Sequence, residues 1–266
     1  MNDLPPLVDQ SNDNKKTIVI LLLVMGVICL FTLGAISVAF YTLNTVKQEQ
    51  KSHFVTEQAD ATSTAVYHAT QVAGYEFFDD FDDNKNGWET GYGNEYWQGS
   101  INILDGAYVW DIKEFHGVEN VSSWQTYKDS KLVTDFDLFV DAKQATPDAQ
   151  HLCYAVAFRA SPTCCSTGGY EFHICGQQFY VAYYGNSMDD SKVFSSWTPS
   201  KAIRLGEWNT LGIKARGDHF TLSINNAVVN EFTDTRRRNG YIYLMIRYYD
   251  TVPGIIMFDN FGLQLR

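Results

Sequence analysis

The sequence predicts an all-β, antiparallel two-sheet sandwich preceded by one membrane-spanning helix. Three observations carry that expectation. Residues 17–43 form one run without charge, Asn, Gln or Pro. From about Gly74 the chain changes to short segments of alternating apolar and polar residues, the period of a strand with one face buried. Between these segments stand Gly217-Asp218, Asn225-Asn226 and Asn239-Gly240, pairs suited to tight reversals.

The elements follow in chain order. Residues 1–16 read as a short cytoplasmic tail ending in Lys15 and Lys16. As a helix, residues 17–43 reach about 40 Å, enough to cross a hydrocarbon core of ~30 Å with some tilt. The run is far longer than the apolar stretch of a signal peptide, and no small-x-small cleavage site closes it. Lys47 and Lys51 lie just beyond its far end, so local lysine counting is nearly balanced. The expectation of a large domain outside the cell membrane rests instead on the cysteines and on the acidic outer part. Residues 44–74 are polar, without Pro, and carry no apolar stripe to bury, which suits a helical or disordered stalk.

Residues 75–266 carry the strands. Phe136, Leu138 and Val140 alternate with Asp137, Phe139 and Asp141; Tyr154, Val156 and Phe158 with Ala155, Ala157 and Arg159; Tyr170, Phe172 and Ile174 with Glu171 and His173. Further strands are predicted at 178–184, 209–215, 219–224, 227–232, 241–248 and 255–265, within a total of about ten to thirteen. An aromatic content of 15% fits strands better than helices. The formal net charge of −11 argues against a nucleic-acid partner, which would call for a basic footprint. No GxxxxGK[ST] occurs, which excludes a P-loop enzyme.

Four cysteines lie beyond the apolar run: Cys153, Cys164, Cys165 and Cys175. If the core-facing residues pair as Tyr154 with Ile174, Val156 with Phe172 and Phe158 with Tyr170, the same register sets Cys153 across from Cys175. Cβ atoms of such cross-strand neighbours stand about 4.5–5.5 Å apart, close to bridging distance. The alternatives are crossed pairings of Cys153 with Cys164 or Cys165, and reduced thiols in a cytosolic domain.

Phe78-Asp79-Asp80-Phe81-Asp82, then Asn86-Gly87-Trp88, opens this region. Gly206-Glu207-Trp208-Asn209-Thr210-Leu211, Gly217-Asp218-His219-Phe220-Thr221-Leu222 and Phe258-Asp259-Asn260-Phe261 follow later. With these motifs, residues 76–266 resemble the concanavalin A-like lectin/glucanase jelly rolls. The likeness is greatest to the laminin-G-like and keto-disaccharide-hydrolase-like branch (domain of unknown function 1080). The resemblance implies a two-sheet jelly roll, often held outside a membrane behind a single span. It implies glycan binding more loosely, because this fold hosts binders, enzymes and spacers. It also implies one structural calcium near the chain ends, for which Asp79, Asp80, Asp82 and Asp259 are the candidate ligands. Asp82-Asp83-Asn84-Lys85-Asn86-Gly87 matches the first half of a calcium loop, but Gly93 stands where its last ligand belongs. The alternative is an acidic turn with Asx capping.

Paired carboxylates on one strand, as ExDxxE or ExDxE, would supply the acid and nucleophile of a glucanase. Neither pattern occurs, and the six histidines show no HxxxH or HExxH spacing. Enzymatic activity is therefore the less favoured expectation. Parity instead places Arg159, Glu171 and His173 on a face away from the core. It sets Tyr241, Tyr243, Met245, Arg247 and Tyr249 opposite Ile242, Leu244 and Ile246. Flat rings beside fork-like donors and a carboxylate are what a sugar needs. Arg159, Glu171, His173, Tyr243, Arg247 and Tyr249 are accordingly the candidate ligand-binding residues, against the alternative that outward aromatics only cover a sheet. The function predicted is a non-catalytic surface module for carbohydrate or another cell-surface polymer. The alternatives are a glycan-processing hydrolase and a structural subunit of a membrane assembly.

Overall fold

The computed structural model describes residues 75–116, 121–146, 151–162, 168–249 and 253–266. The segments expected as tail, span and stalk lie outside the described residues, as do Cys164 and Cys165. Alternation becomes strand throughout: β1 (Phe77–Asp79), β2 (Gly91–Asn94), β3 (Trp97–Leu104), β4 (Ala107–Phe115), β5 (Val121–Gln125), β6 (Phe136–Gln144), β7 (Leu152–Ala160), β8 (Gly169–Cys175), β9 (Gln178–Tyr184), β10 (Lys192–Pro199), β11 (Asn209–Arg216), β12 (His219–Ile224), β13 (Ala227–Thr233), β14 (Tyr241–Tyr248) and β15 (Gly254–Leu265). That is fifteen strands among the described residues, more than the ten to thirteen predicted. The surplus has local causes. β1 and β2 are only three and four residues long, too short to show a period. β10 carries two register shifts that break its alternation.

All pairings are antiparallel. One sheet runs β13-β12-β11-β6-β15-β4-β3-β2, with β1 also on β15; the other runs β10-β9-β8-β7-β14-β5. Their inner faces share one core, in which Leu138 and Val140 of β6 join Val156 and Phe158 of β7 and Phe172 of β8. Turn chemistry closes the hairpins as expected. Asn225 and Asn226 both adopt left-handed φ, 49° and 66°, the backbone of a reversal matched to strand twist.

The opening motif is explained by burial. Asp79 is almost fully buried, and its carboxylate accepts hydrogen bonds from Trp88 Nε1 (2.7 Å), Asn86 Nδ2 (2.6 Å) and the Phe81 amide (2.9 Å). A buried carboxylate is tolerated only when its lone pairs are filled this way. The hub pulls Trp88 into the core against Phe81, Tyr108 and Phe261. A second hub is Asn209, which bonds the backbone of Arg204 and Glu207 and the Asn225 side chain. The chain leaves beside where it enters: Phe77 pairs with Leu263, and the Glu76 amide donates to Leu263 O at 3.0 Å.

β7 and β8 pair in the register read from their apolar residues, with Tyr154 opposite Ile174, Val156 opposite Phe172 and Phe158 opposite Tyr170. Cys153 and Cys175 form a disulfide across it, with their Cα atoms 4.4 Å apart.

Two outcomes follow. Residues 75–266 expressed alone should melt in one cooperative transition, since both sheets and the core they share among the described residues lie within them; an unfolded or aggregated product would contradict this. The Cys153→Ala/Cys175→Ala variant should lose roughly 3 kcal/mol, or about 10 °C in melting temperature, from the unfolded-state entropy that a loop of this size removes. Calorimetry of the variant beside the parent measures it.

Candidate functional site

The face of the six-stranded sheet that points away from the core is built by parity. Its centre is small: Ala155 and Ala157 of β7, with Tyr243 and Met245 of β14 packed over them in a minor apolar cluster. The Tyr243 hydroxyl donates to Pro162 O at 2.9 Å, so this ring is tied to the backbone just beyond β7.

Beside this patch stands a polar triad. His173 Nε2 lies 2.6 Å from Glu171 Oε2. Arg247 Nη1 reaches the same oxygen at 3.4 Å and donates to the Tyr184 hydroxyl at 2.9 Å. An ionised carboxylate only accepts, so the imidazole proton is assigned to Nε2. Glu171 is 2% exposed and His173 0%. Burial holds the His173 pKa below its ordinary value and Arg247 lowers it further, against the pull of Glu171. The triad is therefore a neutral imidazole beside a buried ion pair. His173 Nδ1 and Arg247 Nε are buried without a hydrogen-bond partner.

Four half-buried rings surround the triad. The Arg247 guanidinium stacks 5.1 Å from the Tyr184 ring and 5.9 Å from the Tyr249 ring. Trp197 of β10 stands 5.1 Å from Tyr180 and 5.9 Å from Tyr249 between ring centroids. Burial raises the Tyr184 and Tyr249 phenols above their ordinary pKa, against the Arg247 charge, so both keep hydroxyls that can donate. At one end of this face a cavity of about 380 Å³ opens against Cys175, Trp197 and Tyr249.

Of the six predicted ligand residues, the structure gathers five on this face: Glu171, His173, Tyr243, Arg247 and Tyr249. Arg159 is elsewhere, which corrects its placement beside Glu171. The β7–β14 register shifts between Tyr241 and Tyr243, and Arg159 takes φ 44°, so an extra residue reverses its side chain. Its guanidinium is fully buried at the end of the sandwich, donating to Thr134 O (2.7 and 2.9 Å) and Gly217 O (2.7 Å) and pairing with Asp135 at 3.2 Å. Sequence reasoning also missed Tyr180, Tyr184 and Trp197. The same parity carried one strand further would have found the two tyrosines, because His173 pairs with Tyr180 and Gly169 with Tyr184. The bulged β10 offered no such signal for Trp197.

The candidate calcium ligands are divided. Asp79 is occupied by its three donors. The Asp83 side chain caps the Lys85 amide (2.9 Å) and Asn84 brackets Trp88, which is the Asx-capped turn. The charges of Asp80 and Asp82 act on Asp259. Among the described residues no three His, Cys, Asp or Glu side chains come together as a metal-holding group.

A model of the family described as the 3-keto-alpha-glucoside-1,2-lyase-like domain matches residues 76–261. Solved structures with the same fold include one from human gut microbiota that express endo-acting O-glycanases to initiate mucin breakdown (11% identity, TM-score 0.53, covering 72% of this chain and 99% of that one). A second is the laminarinase catalytic domain from Thermotoga maritima (12%, 0.52, 71% and 96%). A third is SCLam, a non-specific endo-beta-1,3(4)-glucanase (12%, 0.52, 72% and 91%). At these identities the likeness shows the sandwich alone. No curated protein sequence matches the chain.

One pH effect follows from Asp259. Burial, with Asp141, Asp80 and Asp82 nearby, pushes its pKa up to about 7, against the Asn260 amide. A folded pKa above the unfolded value favours the protonated acid in the native state, so this contribution is full below about pH 4 and lost as pH rises through 7. Asp259→Asn should therefore melt higher than the parent at pH 8 and gain nothing at pH 4. Equal melting temperatures at both pH values would contradict the assignment.

Proposed function

The chain belongs to the 3-keto-alpha-glucoside-1,2-lyase-like domain family, matched over residues 76–261, and we propose that this member binds carbohydrate on the outer face of the β10-β9-β8-β7-β14-β5 sheet rather than cleaving it. The observation that carries this reading is the sealed triad beneath an aromatic rim. Tyr180, Tyr184, Trp197 and Tyr249 offer flat apolar faces and hydroxyl or indole donors at the surface, the groups that a sugar ring uses. Glu171 and His173 lie below them at 2% and 0% exposure. A catalytic acid or base must come within hydrogen-bond reach of the proton it moves. Buried and committed to each other, these two side chains serve better to hold Arg247 in place.

Membrane anchoring and an extracytoplasmic site belong to the same proposal. The uncharged run at 17–43 supports the first. A cystine supports the second, because such bridges persist in oxidising compartments.

A second reading is favoured by the family's description and by His173 Nδ1, which has no partner. An imidazole oriented by a carboxylate could take the C2 proton of a 3-keto-glucoside while the C1–O bond breaks and the leaving group departs with the electron pair. The covering of His173 is what places this reading second.

Glycan-array binding by the full chain, run beside incubation with 3-keto-glucosides, separates the two. We expect retained glycan and no released aglycone. Aglycone release that His173→Gln abolishes would replace binding with lyase activity.

A further inference from the structure

The cavity at the end of the outer face has a definite chemical character. Its described lining comprises Trp197, Tyr249, Gln177, Gln178, His151 and the Cys175 end of the disulfide, with Gly176 between. No Lys, Arg, Asp or Glu is among them. The two large rings meet nearly at right angles, 85° with centroids 5.9 Å apart, so one can lie along a flat ligand face while the other meets its edge. The cystine adds an apolar wall whose position is set by the β7–β8 ladder rather than by a free rotamer. Gln177 Nε2 is taken by Ile203 O at 3.4 Å, and the amide of exposed Gln178 supplies both a donor and an acceptor. Its volume of about 380 Å³ lies at the small end of the range for ligand sites, about 300–1,000 Å³.

Among the described residues, the charges beside Tyr249 cancel. Arg247 stacks on Tyr249, but its guanidinium pairs with Glu171, and burial keeps His173 neutral. An anionic ligand would give up its hydration for a lining that, among the described residues, holds no Lys or Arg to repay the desolvation cost. The chain as a whole, with a net charge of −11, would repel it further.

We propose that this cavity is a subsite for an uncharged pyranose of a glycan, and that Trp197, Tyr249 and the cystine wall select neutral sugars over uronic acids. The proposal rests on the carbohydrate-binding reading above and adds to it the place and the charge class of the sugar.

The test is calorimetric titration of the full chain with neutral gluco-, galacto- and manno-oligosaccharides and with the corresponding uronic acid oligomers. Neutral oligosaccharides should bind, and uronates should bind at least about tenfold more weakly. Trp197→Ala should weaken neutral binding by about tenfold or more. Gln178→Ala, at an exposed position at the start of β9, should weaken it measurably at an unchanged melting temperature. Neutral binding untouched by both variants would overturn the subsite and leave the carbohydrate reading standing. Tighter binding of the uronates would overturn the charge class. No binding to any member of the panel would overturn the carbohydrate reading and the subsite together.

Discussion

The pairing of β7 with β8 is the constraint on which the outer face depends. Side chains alternate with a period of two, so a slip of one residue between these strands would send Glu171 and His173 into the core and bring Phe172 and Ile174 out. The apolar cost of that exchange sets the register, and the Cys153–Cys175 bridge closes across it. β14 is placed against β7 by the same logic, with Met245 opposite Ala155 and Arg247 opposite Cys153. Arg247 thereby meets Glu171, although the two are far apart in the chain.

The face that results is divided by polarity. Alanines at its centre leave room for Tyr243 and Met245 to pack against them as a buried apolar patch. Next to this floor, a carboxylate, an imidazole and a guanidinium satisfy one another, and the rings of β9, β10 and Tyr249 stand around them. Charge at the base and aromatic surface at the rim suit recognition of hydroxyl-rich ligands. The arrangement gives the ion pair little contact with solvent.

Much of this was legible from periodicity. The nine strands named from alternation or turn spacing are all present, and the Cys153–Cys175 pairing came directly from the apolar register. Five of six face residues were placed by the same rule. Arg159 escaped it because a bulge is a local backbone event, visible in φ and in a broken ladder but not in residue type. Trp197 escaped because β10 has no clean alternation to read. Asp79 looked like a cation ligand in sequence because a carboxylate that fills its lone pairs with N–H donors has the same letters around it as one that would fill them with a metal. Only the partners Trp88, Asn86 and Phe81 distinguish the two.

The short β1 strand lies along β15, and Leu265 N donates to the Glu76 carboxylate at 3.1 Å. Residues 76 and 265 thus lie side by side at the ends of the paired strands β1 and β15. Domains built this way are readily moved between host chains as insertions, because splicing them into a surface loop displaces neither flank. The rim of aromatics lies on the other sheet, to which neither β1 nor β15 belongs. A domain with this topology can be fitted to different carriers while the outer face of its six-stranded sheet is inherited unchanged.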